Sequence, residues 1–282
     1  MSLRVMLLCG DGNYQRELVR RAENNYDVVG VVWHRPESPK GSLVERLQRY
    51  RNPQALARYL QVRASLPRYV LAAEPLKQTL FPAPINPVGA PEVSVNDINS
   101  ELAAAFIARQ KPDIVLVNGT NLLRKPILGL IKNIPFGIVN LHTGLSPYSR
   151  GGNCNLFMLL EARPELVGIT VHHMNPGIDS GDIIISRQVP MTSNDNYEMV
   201  DIKTFDTGID ALLLAARQLS ERRAARVKQW EEGKLFLRRT GYIYDPYQRL
   251  SANRLLENGL IADYLADKEK RDVGVRVIGD NA

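Results

Sequence analysis

Short apolar runs recur along the chain, with segments of helical spacing between them. Residues 3–9, 27–33, 113–118, 137–142, 169–174 and 183–189 are rich in Val, Ile and Leu. Runs apolar at nearly every position suit strands buried on both faces, as in a parallel sheet. Helical patterns fall at 14–24, 44–60 with a break at Pro53, 99–110, 122–131 and 153–161. Strand and helix alternate, which predicts an α/β fold with a doubly wound, mostly parallel open sheet. The longest helix is expected to start near Thr204 or Asp206, either of which can cap it. Ile209, Leu212, Leu213, Ala216, Leu219, Val227 and Trp230 then follow close to helical spacing, as one buried stripe.

Two stretches leave this alternation. Residues 34–96 hold many prolines and a basic amphipathic segment around 46–58. They read as an insertion, helical and then irregular. Residues 234–282 form a tail, with a short strand at Leu235, Phe236 and Leu237 and a helix at 252–266. The expected division is a main domain over 1–233, carrying the 34–96 insertion, and a C-terminal extension over 234–282.

A chain of 282 residues can bury a full core without disulfides. Cys9 and Cys154 lack metal-binding spacing, which points to a reducing compartment and away from a zinc cluster. No apolar run approaches the ~20 residues of a membrane span, and no signal peptide is visible. A cytoplasmic protein without a membrane partner is therefore expected. The formal charge of +6 suits a small anionic substrate without requiring nucleic acid. Arg217, Arg222, Arg223, Arg226 and Lys228 carry part of that excess, in a pattern that fits a solvated helix face.

The chemistry concentrates between 139 and 182. Asn140 and His142 stand two apart at the end of a predicted strand, so their side chains leave one face. That end is the carboxyl edge, where open α/β sheets bind ligands. An amide donor beside an imidazole suits acyl transfer, with one group for an oxyanion and the other for a proton. Arg150, Gly151 and Gly152 make a turn before a helix, suited to an anion or a sugar. Asp179 lies on a loop between Gly177 and Gly181, where it either caps a turn or returns to orient His142. Gly10, Gly12 and Asn13 follow the first strand, as a tight turn or a phosphate loop. His172 and His173, adjacent on a strand, face opposite ways and read as packed histidines.

These residues resemble the folate-dependent formyltransferase family. The family pattern N-x-H-x-S/G-L-x-P is met by Asn140, His142, Gly144, Leu145 and Pro147, and its R-G by Arg150 and Gly151. G-x-T/S-x-H is met by Gly168, Thr170 and His172, and D-x-G by Asp179 and Gly181. The resemblance covers 94–190 well and implies a Rossmann-like sheet. It implies 10-formyltetrahydrofolate as formyl donor, no metal, and Asn140, His142 and Asp179 as the catalytic trio. The folate is expected on Gly119, Asn121, Leu122, Leu123, Asn175 and Gly177. The acceptor is expected on Gly10, Gly12, Asn13, Arg150, Gly151 and Gly152. Ser146 stands where the family usually has Leu, and one residue is added between Gly151 and Gly168; both changes lie where the acceptor is chosen.

Within the family, methionyl-tRNA formyltransferases carry a C-terminal barrel too large for this tail. Glycinamide ribonucleotide formyltransferases usually lack both the insertion and the tail. The remaining expectation is a sugar-nucleotide N-formyltransferase, whose acceptor is a small anionic nucleotide-linked amino sugar and whose tail serves dimerisation or nucleotide binding. Phosphoribosylglycinamide formyl transfer is the alternative. An inactive folate- or nucleotide-binding module and a formate-releasing hydrolase are the rivals of other kinds.

Overall fold

In chain order the strands are β1 (Arg4–Gly10), β2 (Asp27–His34), β3 (Glu92–Val95), β4 (Ile114–Asn118), β5 (Ile138–His142), β6 (Ser149–Gly151), β7 (Gly168–His173), β8 (Ile183–Gln188) and β9 (Lys234–Phe236). They come from a computed structural model that describes residues 2–37, 52–82 and 88–279. Seven strands form one sheet in the order β3-β2-β1-β4-β5-β7-β8. All neighbours run parallel except at β7, which is antiparallel to both β5 and β8. This is the doubly wound, mostly parallel sheet that the apolar runs predict.

The alternation of β1 explains why both faces are covered. Val5, Leu7 and Cys9 join one core, with Leu18, Val19 and Ala22 of α1 (Asn13–Asn25) and the long helix of the C-terminal half. Met6 and Leu8 join a second core across the sheet. There Phe106 and Ile107 of α3 (Glu101–Gln110) cover them. Ser100 caps α3 by accepting from the Ala103 amide at 3.3 Å, and Lys111 ends it in the left-handed region at φ +47°.

Several boundaries differ from the pattern. The 44–51 part of the expected 44–60 helix lies outside the described residues. Pro53 does not interrupt a helix but begins one: α2 (Pro53–Leu80) starts with Pro in its first turn, where the missing N–H costs nothing. Asn52 caps it, accepting from the Gln54 amide at 2.9 Å. The 34–96 stretch also contributes the edge strand β3, which the sequence pattern did not single out. Helix at 122–131 shrinks to one turn, α4 (Lys125–Leu128), followed by a 3₁₀ turn. The segment after β6 folds as α5 (Cys154–Leu160).

The longest C-terminal helix starts seven residues before Thr204. It is α6 (Tyr197–Ser220), capped by Asn196, whose side chain accepts from the Met199 amide at 2.9 Å. Val227 and Trp230 lie beyond its end, so the apolar stripe stops at Leu219. In the tail, Gly259 at φ +96° splits the expected helix into α7 (Pro246–Glu257) and α8 (Leu260–Ala266), before α9 (Lys268–Asp272). The strand expected at 235–237 is β9, which pairs parallel with β6 in a separate two-stranded sheet. Phe236 is buried between Phe157 and Tyr242, with ring centroids at 5.2 and 4.5 Å. Among the described residues no helix is long and apolar enough to cross a membrane.

Candidate active site

The order in which the chain adds strands to the sheet reverses at β1, with β2 on one side and β4 on the other. The carboxyl ends of β1 and β4 therefore flank a crevice of the kind that admits ligands. Here the backbones come close: a Cβ on Gly10 would lie 2.7 Å from the Gly119 carbonyl oxygen, and Gly119 itself sits at φ +74°. Behind them Gln15 donates to Asn118 Oδ1 at 2.7 Å, and Asn118 donates to the Leu141 carbonyl at 3.2 Å. Next to this closed floor lies a cleft of about 500 Å³. Val117, Gly119 and Leu122 form one wall, Asn140, His142 and Asp179 another.

Asn140 and His142 reach the cleft from β5. Antiparallel pairing sets Asn140 directly opposite His172 of β7. His172 Nδ1 is 2.9 Å from the His173 carbonyl, an acceptor, which fixes the N–H on that nitrogen. Nε2 then accepts from Asn140 Nδ2 at 3.2 Å. The backbone carbonyl thus sets the tautomer, and the tautomer sets which way the Asn140 amide points. One N–H of Asn140 is used; the second is free for the cleft.

Asp179 arrives from the loop after β7 in the left-handed region, at φ +45°. Its Oδ2 lies 3.4 Å from His142 Nδ1 and its Oδ1 lies 3.6 Å from His172 Nε2. The Gly151 amide donates to Oδ2 at 3.0 Å. Gln229 grips the loop backbone, donating to the carbonyls of Asp179 at 2.7 Å and Gly181 at 3.1 Å. Gly181 permits the loop's return to β8, since a Cβ there would come within 1.7 Å of the His173 carbonyl oxygen.

His142 is buried between two acceptors. Its Nδ1 faces the Asp179 carboxylate and its Nε2 faces the Ser149 carbonyl at 3.2 Å. Burial pushes its pKa below the ordinary histidine value; Asp179 opposes that and His172 adds to it. A neutral imidazole has one N–H, so the pair Asp179–His142 is short of one proton. Burial alone would raise the Asp179 carboxyl. His142, His172 and the Gly151 amide outweigh burial and hold it far below the usual carboxylate range.

The structure gathers Asn140, His142 and Asp179 as the sequence pairs them, and adds His172, which the sequence reading leaves as a packed histidine. Gly119, Asn121 and Leu122 line the cleft, as do Gly151 and Gly152. Leu123 does not: it is 2% exposed and packs in the second core. Asn175 folds its side chain onto its own loop, accepting from the Gly177 amide at 3.0 Å, while Met174 and Ile178 face the cleft. Arg150 turns away to Glu232, 3.5 Å from its Oε1. Gly10, Gly12 and Asn13 lie beside the crevice, where Gln15 is the lining residue. Phe205 of α6 and Leu237 after β9 complete the lining and carried no signal in sequence.

A doubly wound sheet that collects an amide, two imidazoles and a carboxylate at its carboxyl edge defines an α/β protein equipped to handle an oxyanion and a proton together. The family model described as Formyl transferase matches residues 5–216, and the chain belongs to that family. Curated relatives include the methionyl-tRNA formyltransferase of Syntrophus aciditrophicus, 28% identical over 44% of this chain and 39% of that protein. That of Kosmotoga olearia is 24% identical over 76% of this chain and 58% of its own length. The chain thus spans only 39 to 58% of these relatives.

Among solved structures, a sugar N-formyltransferase from a Shewanella species is similar with a TM-score of 0.50 at 19% identity, covering 83% of this chain and 76% of that one. A phosphoribosylglycinamide formyltransferase from Anaplasma phagocytophilum gives 0.53 at 18%, covering 84% and 98%. Such identities establish the common fold, and the names of these four proteins point to three different acceptors.

Proposed function

We propose that the protein transfers a formyl group from 10-formyltetrahydrofolate to the amine of an amino-sugar nucleotide. The observation that carries the reading is the meeting of Asn140, His142 and Asp179 at one cleft, with His172 buried against Asn140 and Asp179. The cleft suits a reduced folate: apolar Val117, Leu122 and Met174 offer faces for a flat ring, and Asp179 and the backbone after Gly119 offer polar edges. When bound, the folate supplies the formyl group on a nitrogen able to leave.

The free N–H of Asn140 donates to the oxygen of the formyl group as negative charge develops there. Both nitrogens of His142 already face protein acceptors, so His142 serves the proton rather than the oxyanion. The attacking amine forms its bond to carbon and loses a proton. Asp179 and His142 take up that proton, the one their geometry lacks. They return it to the nitrogen that departs. His172 keeps the Asn140 amide turned to the cleft.

Residues 1–233 would then be the catalytic unit, with 234–282 completing its acceptor side. The amino-sugar choice is supported by the additions around the common fold, α2 and the α7–α9 tail, which a small ribonucleotide acceptor leaves without a task. Calorimetry with a stable reduced-folate analogue tests the donor, and no binding at millimolar ligand removes the whole reading. Turnover on a panel of dTDP-, UDP- and GDP-linked amino sugars, beside glycinamide ribonucleotide, tests the acceptor. Turnover of glycinamide ribonucleotide alone would establish the alternative. Formate release without any acceptor would identify a hydrolase.

A further inference from the structure

We propose that Tyr14, Asp201 and Phe205 form the sugar-binding wall of the cleft, taking a pyranose ring that carries free vicinal hydroxyls. The inference deepens the acceptor reading above and rests on it. Phe205 lines the cleft, and the Tyr14 ring stacks on it with centroids 4.1 Å apart and planes 20° apart. Phe81 backs Tyr14 edge-on at 4.7 Å. The three rings make a fixed aromatic ledge drawn from α1, α6 and the end of α2. Such a ledge suits the C–H face of a sugar, which is apolar and flat.

Asp201 stands one turn before Phe205 on α6, on the same face of the helix. Tyr14 Oη lies 3.5 Å from Asp201 Oδ2. No basic side chain pairs with Asp201 among the described residues. Arg249, whose charge favours the ionised form, bonds to Glu198 instead. Burial and the nearby Glu198 push the Asp201 carboxyl up to about 6, so it is ionised at neutral pH yet poorly served. A carboxylate in that state needs donors. Two adjacent sugar hydroxyls supply them as a pair, whereas a phosphate placed there would be repelled. Phe205 lines the cleft, and Tyr14 and Asp201, joined to it by stacking and by the turn of α6, are like it only partly buried.

The test uses the amino-sugar nucleotide that the wild-type protein turns over. Asp201→Asn is expected to raise KM for that acceptor about tenfold or more, with KM for 10-formyltetrahydrofolate unchanged. An acceptor lacking one of the two hydroxyls should no longer distinguish wild type from Asp201→Asn. Phe205→Leu should raise acceptor KM roughly threefold to tenfold through loss of the ring face. Equal acceptor KM in wild type and Asp201→Asn, with folate binding intact, overturns the inference and leaves formyl transfer standing. If Asp201→Asn does not fold, Tyr14→Phe decides, with about a threefold rise expected and no change counting against the proposal. Wild-type protein that binds the folate analogue but turns over no amino-sugar nucleotide overturns the acceptor reading and this inference with it.

Discussion

Two halves of one sheet edge use polar side chains to opposite ends. At β1 and β4, Gln15, Asn118 and the Leu141 carbonyl satisfy one another behind Gly10 and Gly119. Each pairing there joins a neutral donor to a neutral acceptor, and the result is a closed, neutral floor. At β5 and β7, Asn140, His142, His172 and Asp179 are equally tightly gathered, but His142 faces two acceptors with one proton. The first half holds no charged group. The second is left with a proton vacancy and a free amide N–H. Buried polar networks are therefore not alike: one joins neutral partners across two strand ends, and the other, under the proposed function, holds the groups for a proton transfer.

Substitutions can break this contrast. Asn140→Ala and His142→Ala should each lower turnover about 10²–10³-fold with little change in melting temperature. A parallel fall of melting temperature and activity would erase the distinction. Asp179→Asn removes the charge that receives the proton and should cost about 10²-fold in turnover, while folate binding by calorimetry persists. Asn118→Ala should show the reverse: about 1–3 kcal/mol of stability lost in chemical unfolding, with kcat nearly unchanged.

A smaller effect sharpens the picture at His172. His172→Phe removes the acceptor that turns Asn140, and should lower kcat about tenfold without raising KM for either substrate. His172→Gln, which can accept the same N–H, should restore much of the loss. Equal activity in the Phe and Gln variants would reduce His172 to packing.

The smallest expected effect is in pH. The folded pKa of His142 lies below its unfolded value, so between the two values the unfolded chain binds more protons and stability rises with pH. Below that window His142 is charged before any amine delivers its proton. The acid limb of the kcat profile should therefore fall below pH ~6.5, the ordinary histidine value. Asp179, depressed in the fold, gives stability that is present above ~3.9 and is lost as pH drops through its folded value. An acid limb above the ordinary histidine value in kcat would remove the neutral His142 from the mechanism.

The doubly wound sheet was legible because both faces of β1, β4 and β5 are buried, and burial on both faces writes continuous apolar runs. Asn140 and His142 were legible from strand spacing, and Asp179 from its glycine-flanked loop. His172 was not, although it ends the G-x-T-x-H pattern. A lone strand shows only which residues alternate; that His172 stands opposite Asn140 depends on β7 running antiparallel, which no local pattern states. The start of α6 was missed because Glu198, Asp201 and Lys203 blur its first turns, while Asn196, its cap, sits in a polar stretch that reads as loop. Leu123 was misplaced because loop position does not reveal side-chain direction, and it turns inward to the core.

The pairing of β6 with β9 joins the beginning of the site to the end of the chain. Ser149, whose carbonyl meets His142, and Gly151, whose amide meets Asp179, both belong to β6. The strand that holds β6 in place is made only at Lys234–Phe236. On the ribosome the chain emerges from its N-terminus, and early segments fold first. Asn140, His142, His172 and Asp179 are all synthesised well before the strand that steadies two of their partners. A nascent chain stalled before Phe236 would hold all four of these side chains and still lack the strand that pairs with the backbone contacting two of them.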